Sequence, residues 1–341
     1  MLEATHERIA LLFDLYEHIC LSFSGGKDST ALFHLIREEA KRRGRKFLLF
    51  FLDQEAEYQS TIDLVEWAMQ CPEVIPLWFQ VEIAMTNATS QKDLFLNAWG
   101  EGEDWIREKH PLAIKSITGD YPKRFYPFLH WFEEHLKNTY GSVCSVVGLR
   151  AEESPDRKFM LYNGSEEHFW IYDFKKESSD KVYPIIDWSY TDIWKFLIEG
   201  GYKYCKAYDV MYQMGLELQH TRVSNLIHEK AYRCLQELQA LEPDTYDKLE
   251  QRIGGIRGAS KYAKDGIYLG ARILPEAFKS WGEYKEALLE QKPEEMRELY
   301  TKKGEGDRHV VRRLLLNDWE GSLKEREKKE KATPKDWLNL L

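Results

Sequence analysis

The stretch SGGKDS at residues 24–29 decides the fold, because it lies between a short apolar run and a region with helical periodicity. The apolar run covers residues 18–23, and a second one covers residues 47–52, as expected for strands buried on both faces of a parallel sheet. Apolar residues between 32 and 40 recur at the spacing of one helical face, and Gly44 predicts the end of that helix. The sequence therefore predicts a β-loop-α-β unit of the α/β class.

The glycine-rich loop is suited to binding a phosphate group. Gly25 and Gly26 let backbone N–H groups approach the ligand, and the start of the helix adds a partial positive charge. Lys27 adds a full positive charge, while Asp28 is expected to cap the helix or to hold a metal ion such as Mg²⁺. The spacing differs from that of a Walker loop, which argues against a Walker-type nucleotide hydrolase. The candidate phosphate-binding residues are Ser24, Gly25, Gly26, Lys27, Asp28, Ser29 and Thr30.

The loop resembles the S-G-G-x-D-S signature of the PP-loop family, and the residues after it are most similar to the phosphoadenosine phosphosulfate (PAPS) reductase branch. The segment GLRAEESPDR at residues 148–157 resembles the G-x-R-x-x-E-S-x-x-R element of the same branch. This resemblance implies an adenine nucleotide alpha hydrolase-like fold, in which a parallel sheet of about five strands is flanked by helices. It also implies that the loop binds ATP or PAPS.

Two arginines of the second segment follow another predicted strand at residues 142–149. Loops beyond the carboxyl ends of parallel strands line the ligand crevice, so we expect Arg150 and Arg157 to face the anionic end of a nucleotide. Surface ion pairs are the alternative interpretation. Asp53 ends the second predicted strand, where contacts to a ribose or base arise, and is expected to contact the nucleotide. The candidate catalytic residues are Lys27, Arg150 and Arg157, and the further nucleotide-binding candidates are Asp53, Gly148 and Arg150.

The cysteines argue against one activity of this branch. There are five, widely spaced and without a C-x-x-C pair, so we expect no disulfide framework, iron–sulfur cluster or zinc site. Sulfonucleotide reductases carry a catalytic cysteine in a Glu-Cys-Gly-[Ile/Leu]-His element near the C-terminus, and this chain has no cysteine after Cys234. The sequence therefore argues against thiol-dependent PAPS reduction.

The sequence also favours a cytoplasmic location. The cysteine pattern fits a reducing compartment, and residues 1–19 read as an amphipathic helix and not as a signal peptide. A run of about 18 consecutive apolar residues, which a membrane span needs, does not occur.

The chain is predicted to contain two domains. Residues 1–201 form the PP-loop domain, with an aromatic-rich insertion at about 86–140, and residues 202–341 form a mainly helical region resembling an uncharacterised extension of some PAPS-reductase-like proteins. The acidic excess lies in the first part, whereas the second is slightly basic, so a nucleic acid or a DNA-binding partner is one expectation and a solvated surface the other. An oligomer is also compatible with the sequence. Arg222, on a predicted helix, and the basic stretch 252–264 are the candidate contacts there.

Three functions remain open at this level. The first is ATP pyrophosphatase-type adenylation of an unknown acceptor, a transferase activity with Mg²⁺ that is linked to sulfur transfer or nucleic-acid modification. The second is a PAPS-binding protein of the sulfonucleotide reductase or sulfotransferase kind. The third is a non-catalytic, nucleotide-dependent regulator that acts with a DNA-binding partner.

Overall fold

The structure is a computed structural model that describes residues 1–89, 95–153, 157, 170–172, 180–216, 221–228, 234–262, 278–290, 307 and 310–311. The strands are β1 (His18–Ser22), β2 (Phe47–Leu52), β3 (Val74–Phe79), β4 (Ile83–Thr86), β5 (Phe95–Ala98), β6 (Val143–Val147), β7 (Ile171–Tyr172) and β8 (Asp180–Val182). The helices are α1 (Leu2–Leu15), α2 (Lys27–Arg43), α3 (Gln59–Met69), α4 (Phe125–Tyr140), α5 (Tyr190–Glu199), α6 (Ala207–Gln213), α7 (Leu235–Leu241), α8 (Pro243–Arg252), α9 (Ile256–Tyr262) and α10 (Trp281–Glu290).

One sheet of six strands organises the protein, with the order β3-β2-β1-β6-β8-β7. Every neighbouring pair is parallel except β7 with β8, which is antiparallel. The parallel part of five strands, flanked by helices, confirms the predicted α/β fold. Strands β4 and β5 form a separate antiparallel pair.

Strand β2 shows why the sheet lies in the centre of the core. All six residues of its sequence FLLFFL are buried, because helices cover both faces of a parallel sheet. On one face Phe50 stacks on Phe132 of α4, with ring centroids 4.0 Å apart. Pro76, whose missing N–H group favours an edge position or a kink, lies in β3, and β3 is an edge strand of the sheet.

The stop predicted at Gly44 is confirmed, and the spacing of Ser189 and Asp192, which is typical of a capping box, is a second local signal. Gly44 ends α2 in the left-handed conformation, with φ of 62°, and its N–H donates to carbonyls of the last helical turn. Ser189 and Asp192 form a reciprocal capping box at the start of α5. The apolar run at 182–186 favours a strand in the sequence, but the strand lies earlier, because β8 ends at Val182 and a turn follows.

The aromatic-rich stretch at 86–140, predicted as an insertion, contributes to the core where it is described. Trp99, Phe128 and Phe132 are buried in the same hydrophobic cluster as the sheet. Helix α4 connects β5 to β6 and contacts the sheet directly, so the last part of this stretch is a regular crossover helix.

The region after residue 202 is helical where it is described, as predicted. Its buried residues up to Ala259 belong to the same hydrophobic cluster as the sheet, so the core is continuous across the predicted boundary at residue 201. A second, small cluster involves α10. The division into two domains stays a prediction, and the end of the basic stretch 252–264 lies outside the described residues. None of the described helices is both long and apolar enough to cross a membrane.

The interpretation of Arg252 as a surface contact for nucleic acid is wrong. Its guanidinium Nε donates to Oε1 of Glu55 at 2.9 Å, and its Nη2 donates to the carbonyl of Asn97 at 3.0 Å. Glu55 is completely buried and also accepts from the N–H of Trp99 at 2.9 Å. Arg252 therefore compensates a buried charge between α8 and the sheet.

Candidate functional site

The candidate site lies where the strand order reverses. Strands β1 and β6 are neighbours, but the chain continues from β1 toward β2 and from β6 toward β8. The loops after these two strands, at 23–26 and 148–151, therefore diverge and leave a crevice at the carboxyl edge of the sheet. Ligands of open α/β sheets bind at such a switch point.

The loop after β1 is held in shape by its own hydrogen bonds. The hydroxyl of Ser29 donates to the carbonyl of Gly26 at 3.0 Å and accepts from the N–H of Ser24 at 3.2 Å. Gly25 has φ of +68°, and a Cβ there would lie 2.7 Å from Cγ2 of Thr61. Only glycine fits this turn without strain. The loop is thus preformed at the start of α2.

Thr30 was predicted to bind a phosphate, but its side chain is buried in the core. It is fully buried, and its hydroxyl has no hydrogen-bond partner in the part of the chain that the structure describes. The backbone N–H of Thr30 donates to the carbonyl of Gly26 at 2.9 Å, within the first turn of α2. A buried hydroxyl of this kind stabilises no ligand on the crevice surface.

Lys27 and Arg150 are brought together by Asp28. The ammonium of Lys27 donates to Oδ2 of Asp28 at 2.8 Å, and the guanidinium Nε of Arg150 donates to Oδ1. Burial lowers the pKa of Lys27, and the positive charge of Arg150 acts in the same direction, whereas the charge of Asp28 opposes both. The expectation that Asp28 caps the helix is wrong, since the N-cap is Gly26 and makes no side-chain cap. Asp28 instead orients two cations.

The second segment supplies two further charged pairs. Nη1 of Arg150 donates to Glu152 at 2.7 Å, and the same Glu152 oxygen accepts from the N–H of Tyr190 at 2.6 Å. Arg157 pairs with Glu153, four residues before it in the sequence. Burial lowers the pKa of Arg157, and the charges of neighbouring arginines contribute. Lys27, Arg150 and Arg157 therefore lie near one another at one crevice, and their catalytic roles stay predictions.

Two tyrosines of the site carry no sequence signal. The hydroxyl of Tyr208, on α6, accepts from the N–H of Lys27 at 3.1 Å. The ring of Tyr190, at the start of α5, lies 5.4 Å from the ammonium of Lys27. Burial raises the pKa of both phenols. Neither tyrosine lies in a motif, so only the tertiary structure identifies them.

Asp53 is part of a buried network rather than of the crevice surface. The residue is 1% exposed, and its carboxylate accepts hydrogen bonds from four protein donors. These donors are the N–H of Glu55, Trp78 Nε1, Gln80 Nε2 and Arg107 Nη2. Both carboxylate oxygens of Asp53 already accept hydrogen bonds from protein donors, so neither is left for the predicted contact with a ribose or base. The carboxylate stabilises the fold.

Comparison with known proteins agrees with this geometry. The family model described as the phosphoadenosine phosphosulfate reductase domain matches residues 18–214, which is more than half of the chain. The chain belongs to this family. A second model, a domain of unknown function (DUF3440), matches residues 215–313 of this PAPS reductase-like chain.

Three relatives illustrate the range of the family. The "Uncharacterized protein YbdN" of Escherichia coli (strain K12) is 29% identical over 323 residues, 89% of this chain and 78% of the relative. A probable FAD synthase of Schizosaccharomyces pombe is 53% identical over 203 residues, 59% of this chain and 60% of that protein, so the match leaves part of it uncovered. An adenosine 5'-phosphosulfate reductase 2 of Bacillus subtilis is 24% identical over 204 residues, 59% of this chain and 72% of the relative.

The thiols of this PAPS reductase-like chain are not placed for nucleophilic attack. All five cysteines are buried, and burial raises the pKa of each thiol, for Cys234 to about 11. A thiolate is the reactive form, so a raised pKa leaves each sulfur inert near neutral pH. The buried cysteines are Cys20, Cys71, Cys144, Cys205 and Cys234.

Gly148 packs closely against the start of α2, which leads to a prediction for a larger residue at this position. A Cβ at this position would lie 3.0 Å from the nitrogen of Ser29 and 3.1 Å from the carbonyl carbon of Asp28. Gly148→Ala is expected to push the loop after β6 away from α2, costing about 1–3 kcal/mol of stability by overpacking and weakening ATP binding. Urea denaturation and calorimetry measure the two effects. Arg257→Ala on the exposed surface is the control, and equal ATP affinity in Gly148→Ala and the wild type would contradict the prediction.

Glu57 predicts a pH dependence of stability. Burial, followed by the charge of Asp53, raises the pKa of Glu57 from 4.5 to about 8, although the N–H of Asn225 donates to its Oε2 at 2.8 Å. The folded state therefore keeps a proton that the unfolded state has lost, so stability falls as pH rises from about 4.5 through about 8. We expect the melting temperature of the wild type to fall as pH rises from about 6 to about 9. The fall is expected to be smaller in Glu57→Gln. Parallel losses in the two proteins would contradict this assignment.

Proposed function

We propose that this protein binds ATP in the crevice between β1 and β6 and cleaves its α–β phosphate linkage to transfer an adenylyl group to an acceptor. The observation that carries the proposal is the convergence of Lys27, Arg150 and Arg157 around a preformed glycine loop. Such a set of cations and amides suits a polyphosphate. The buried cysteines favour a reaction without an internal thiolate.

The proposed reaction is a displacement at the α-phosphorus of ATP. A nucleophilic oxygen of the acceptor forms a bond to the α-phosphorus, the bond from the α-phosphorus to the bridging oxygen breaks, and pyrophosphate leaves with the electron pair. Lys27, the loop amides and Arg150 stabilise the negative charge that grows on the leaving pyrophosphate, with Arg157 assisting. Asp28 keeps the first two cations oriented before the nucleotide arrives, so little reorganisation is needed at the moment of reaction.

A protein-held Mg²⁺ at Asp28 does not fit the residues present. Both oxygens of Asp28 are occupied by the cations of Lys27 and Arg150. Within the described ranges, no three His, Cys, Asp or Glu side chains converge as a metal site. No step of the proposed reaction is therefore assigned to a metal held by Asp28.

Product analysis tests the proposed reaction. The full chain is incubated with α-³²P-ATP and candidate acceptors, and thin-layer chromatography separates AMP, ADP and adenylated products. We expect AMP or an adenylated acceptor together with an equal amount of pyrophosphate. Release of ADP and inorganic phosphate, or no binding of ATP by calorimetry, would contradict the proposal.

Binding of a sulfonucleotide is the second candidate, and the family model favours it, because its description names PAPS. In this version the crevice binds the phosphosulfate group, which the protein transfers or senses without an internal thiol. Competition between ATP and PAPS in one calorimetric titration decides between the candidates. Tighter binding of PAPS, without pyrophosphate release from ATP, favours the second. A cytoplasmic location, an oligomer and a nucleic-acid or DNA-binding partner for residues 202–341 stay predictions.

A further inference from the structure

The segment 221–228, which we term the crevice segment, lies across the carboxyl end of the sheet. The hydroxyl of Thr61 donates to the carbonyl of Val223 at 2.8 Å, and the N–H of Leu226 donates to the carbonyl of Ala56 at 2.8 Å. Thr61 is the residue that a Cβ on Gly25 would meet at 2.7 Å. The crevice segment is therefore bonded to the structure that supports the phosphate loop.

The crevice segment is not the helix that the sequence predicted. Its residues 221–228 form bends and turns, and Asn225 has a positive φ of 37°. The N–H of Asn225 donates to Glu57, and its side-chain Nδ2 donates to Oε1 of Gln54 at 2.6 Å. These bonds replace helical ones and fix the path of the backbone over the loop that follows β2.

Both neighbours of Arg222 are anchored beside Lys27. Thr221 is buried and forms a side-chain hydrogen bond with Tyr190, whose ring contacts the ammonium of Lys27. Val223 is buried on the other side. The backbone of Arg222 forms a hydrogen bond with Cys234. The main chain therefore positions Arg222 at the crevice even though the residue itself is exposed.

The guanidinium of Arg222 adds an uncompensated charge to the site. Its charge helps to lower the pKa of Lys27 and of Arg157, after the larger effect of burial in each case. Among the described residues, its guanidinium has no hydrogen bond or ion pair, unlike those of Arg150 and Arg157. Arg222 thus adds a positive charge near Lys27 and Arg157 without a carboxylate partner of its own among the described residues, and a bound anion would stabilise this arrangement.

We infer that Arg222, supplied by the region matched to the domain of unknown function, binds the polyphosphate or phosphosulfate end of the nucleotide and completes the crevice. The inference rests on the proposed function, since it deepens the same nucleotide site. Because the charge of Arg222 acts on Lys27 and Arg157, the cations assigned to the phosphates, its contact is assigned to the terminal anionic groups and not to the adenosine. Arginine suits this role, because its planar fork binds two phosphate oxygens at once.

Calorimetric titration of the full chain with ATP, and separately with AMP, tests this role. We expect Arg222→Ala to weaken ATP binding about tenfold or more, Arg222→Lys to weaken it less, and AMP binding to change less than about threefold. Arg257→Ala is the matched control, because Arg257 is 86% exposed on α9 and belongs to the same region of the chain. The melting temperature of each variant is expected to match that of the wild type.

Three outcomes separate the inference from the proposed function. Unchanged ATP affinity in Arg222→Ala, with pyrophosphate release intact, overturns the role of Arg222 and leaves the proposed function standing. Equal losses for ATP and AMP overturn the assignment to the terminal groups. A wild-type protein that binds neither ATP nor PAPS overturns the proposed function and the inference together.

Discussion

Replacing Lys27 by alanine is expected to weaken ATP binding by about 10- to 100-fold, since a hydrogen bond from a charged donor contributes about 1.5–3 kcal/mol. The ammonium is nearly buried beside the crevice, and Asp28 holds it in place at 2.8 Å. Its removal also leaves Asp28 with Arg150 as its remaining charged partner, which reduces the positive charge that the crevice offers to a phosphate.

Calorimetry with ATP measures the loss in Lys27→Ala, and circular dichroism checks that the fold is retained. Lys27→Arg keeps the charge but lengthens the side chain, so we expect partial binding. Lys206→Ala is the matched control, because Lys206 is largely exposed and pairs with Asp209 on the surface. ATP binding by Lys27→Ala at wild-type strength would show that the loop binds no polyphosphate.

Replacing Arg252 by methionine is expected to lower the free energy of unfolding by about 3–5 kcal/mol, because removal of one partner leaves a buried charge uncompensated. Glu55 is completely buried and loses the guanidinium that donates to its Oε1 at 2.9 Å. The same change removes the bonds from Arg252 to the carbonyl of Asn97 and to Glu103, so α8 loses its polar contacts with this part of the sheet domain.

Urea denaturation measures the loss, and a double-mutant cycle assigns its cause. In Glu55→Gln with Arg252→Met both charges of this pair are removed, so we expect the double variant to recover part of the stability that Arg252→Met loses. Arg257→Ala serves as the surface control and is expected to stay within about 0.5 kcal/mol of the wild type. A loss below about 1 kcal/mol in Arg252→Met would mean that Glu55 is compensated by other groups.

The sequence predicts those parts of the site that depend on local geometry. The glycine loop at 24–29 and the stop at Gly44 follow from the conformational freedom of glycine, which acts within a few residues. The sheet followed from short apolar runs, because strands buried on both faces need such runs. The convergence of Arg150 with Lys27 followed from the rule that loops meet at the carboxyl edge of parallel strands.

The remaining features depend on partners that are distant in the sequence. Arg252 and Arg257 look alike in the sequence, yet the first is buried against Glu55 and the second is exposed. Asp53 was predicted at the crevice because it ends a strand, but the N–H of Glu55 and three donors from other segments enclose its carboxylate. Burial of a charged residue is decided by tertiary contacts that periodicity does not encode.

The carboxylates of Glu55 and Glu57 have a consequence for how the protein is made. Each leaves the ribosome well before the residues that satisfy it, Arg252 and Asn225 respectively. At about 5–20 residues per second, the delay between Glu55 and Arg252 is on the order of 10–40 s. During this time Glu55 lacks its charged partner and Glu57 lacks its backbone donor, so we expect the proposed nucleotide crevice to mature only after the later region has been synthesised. Nascent chains stalled before residue 225 are therefore expected to be more sensitive to protease than the completed chain.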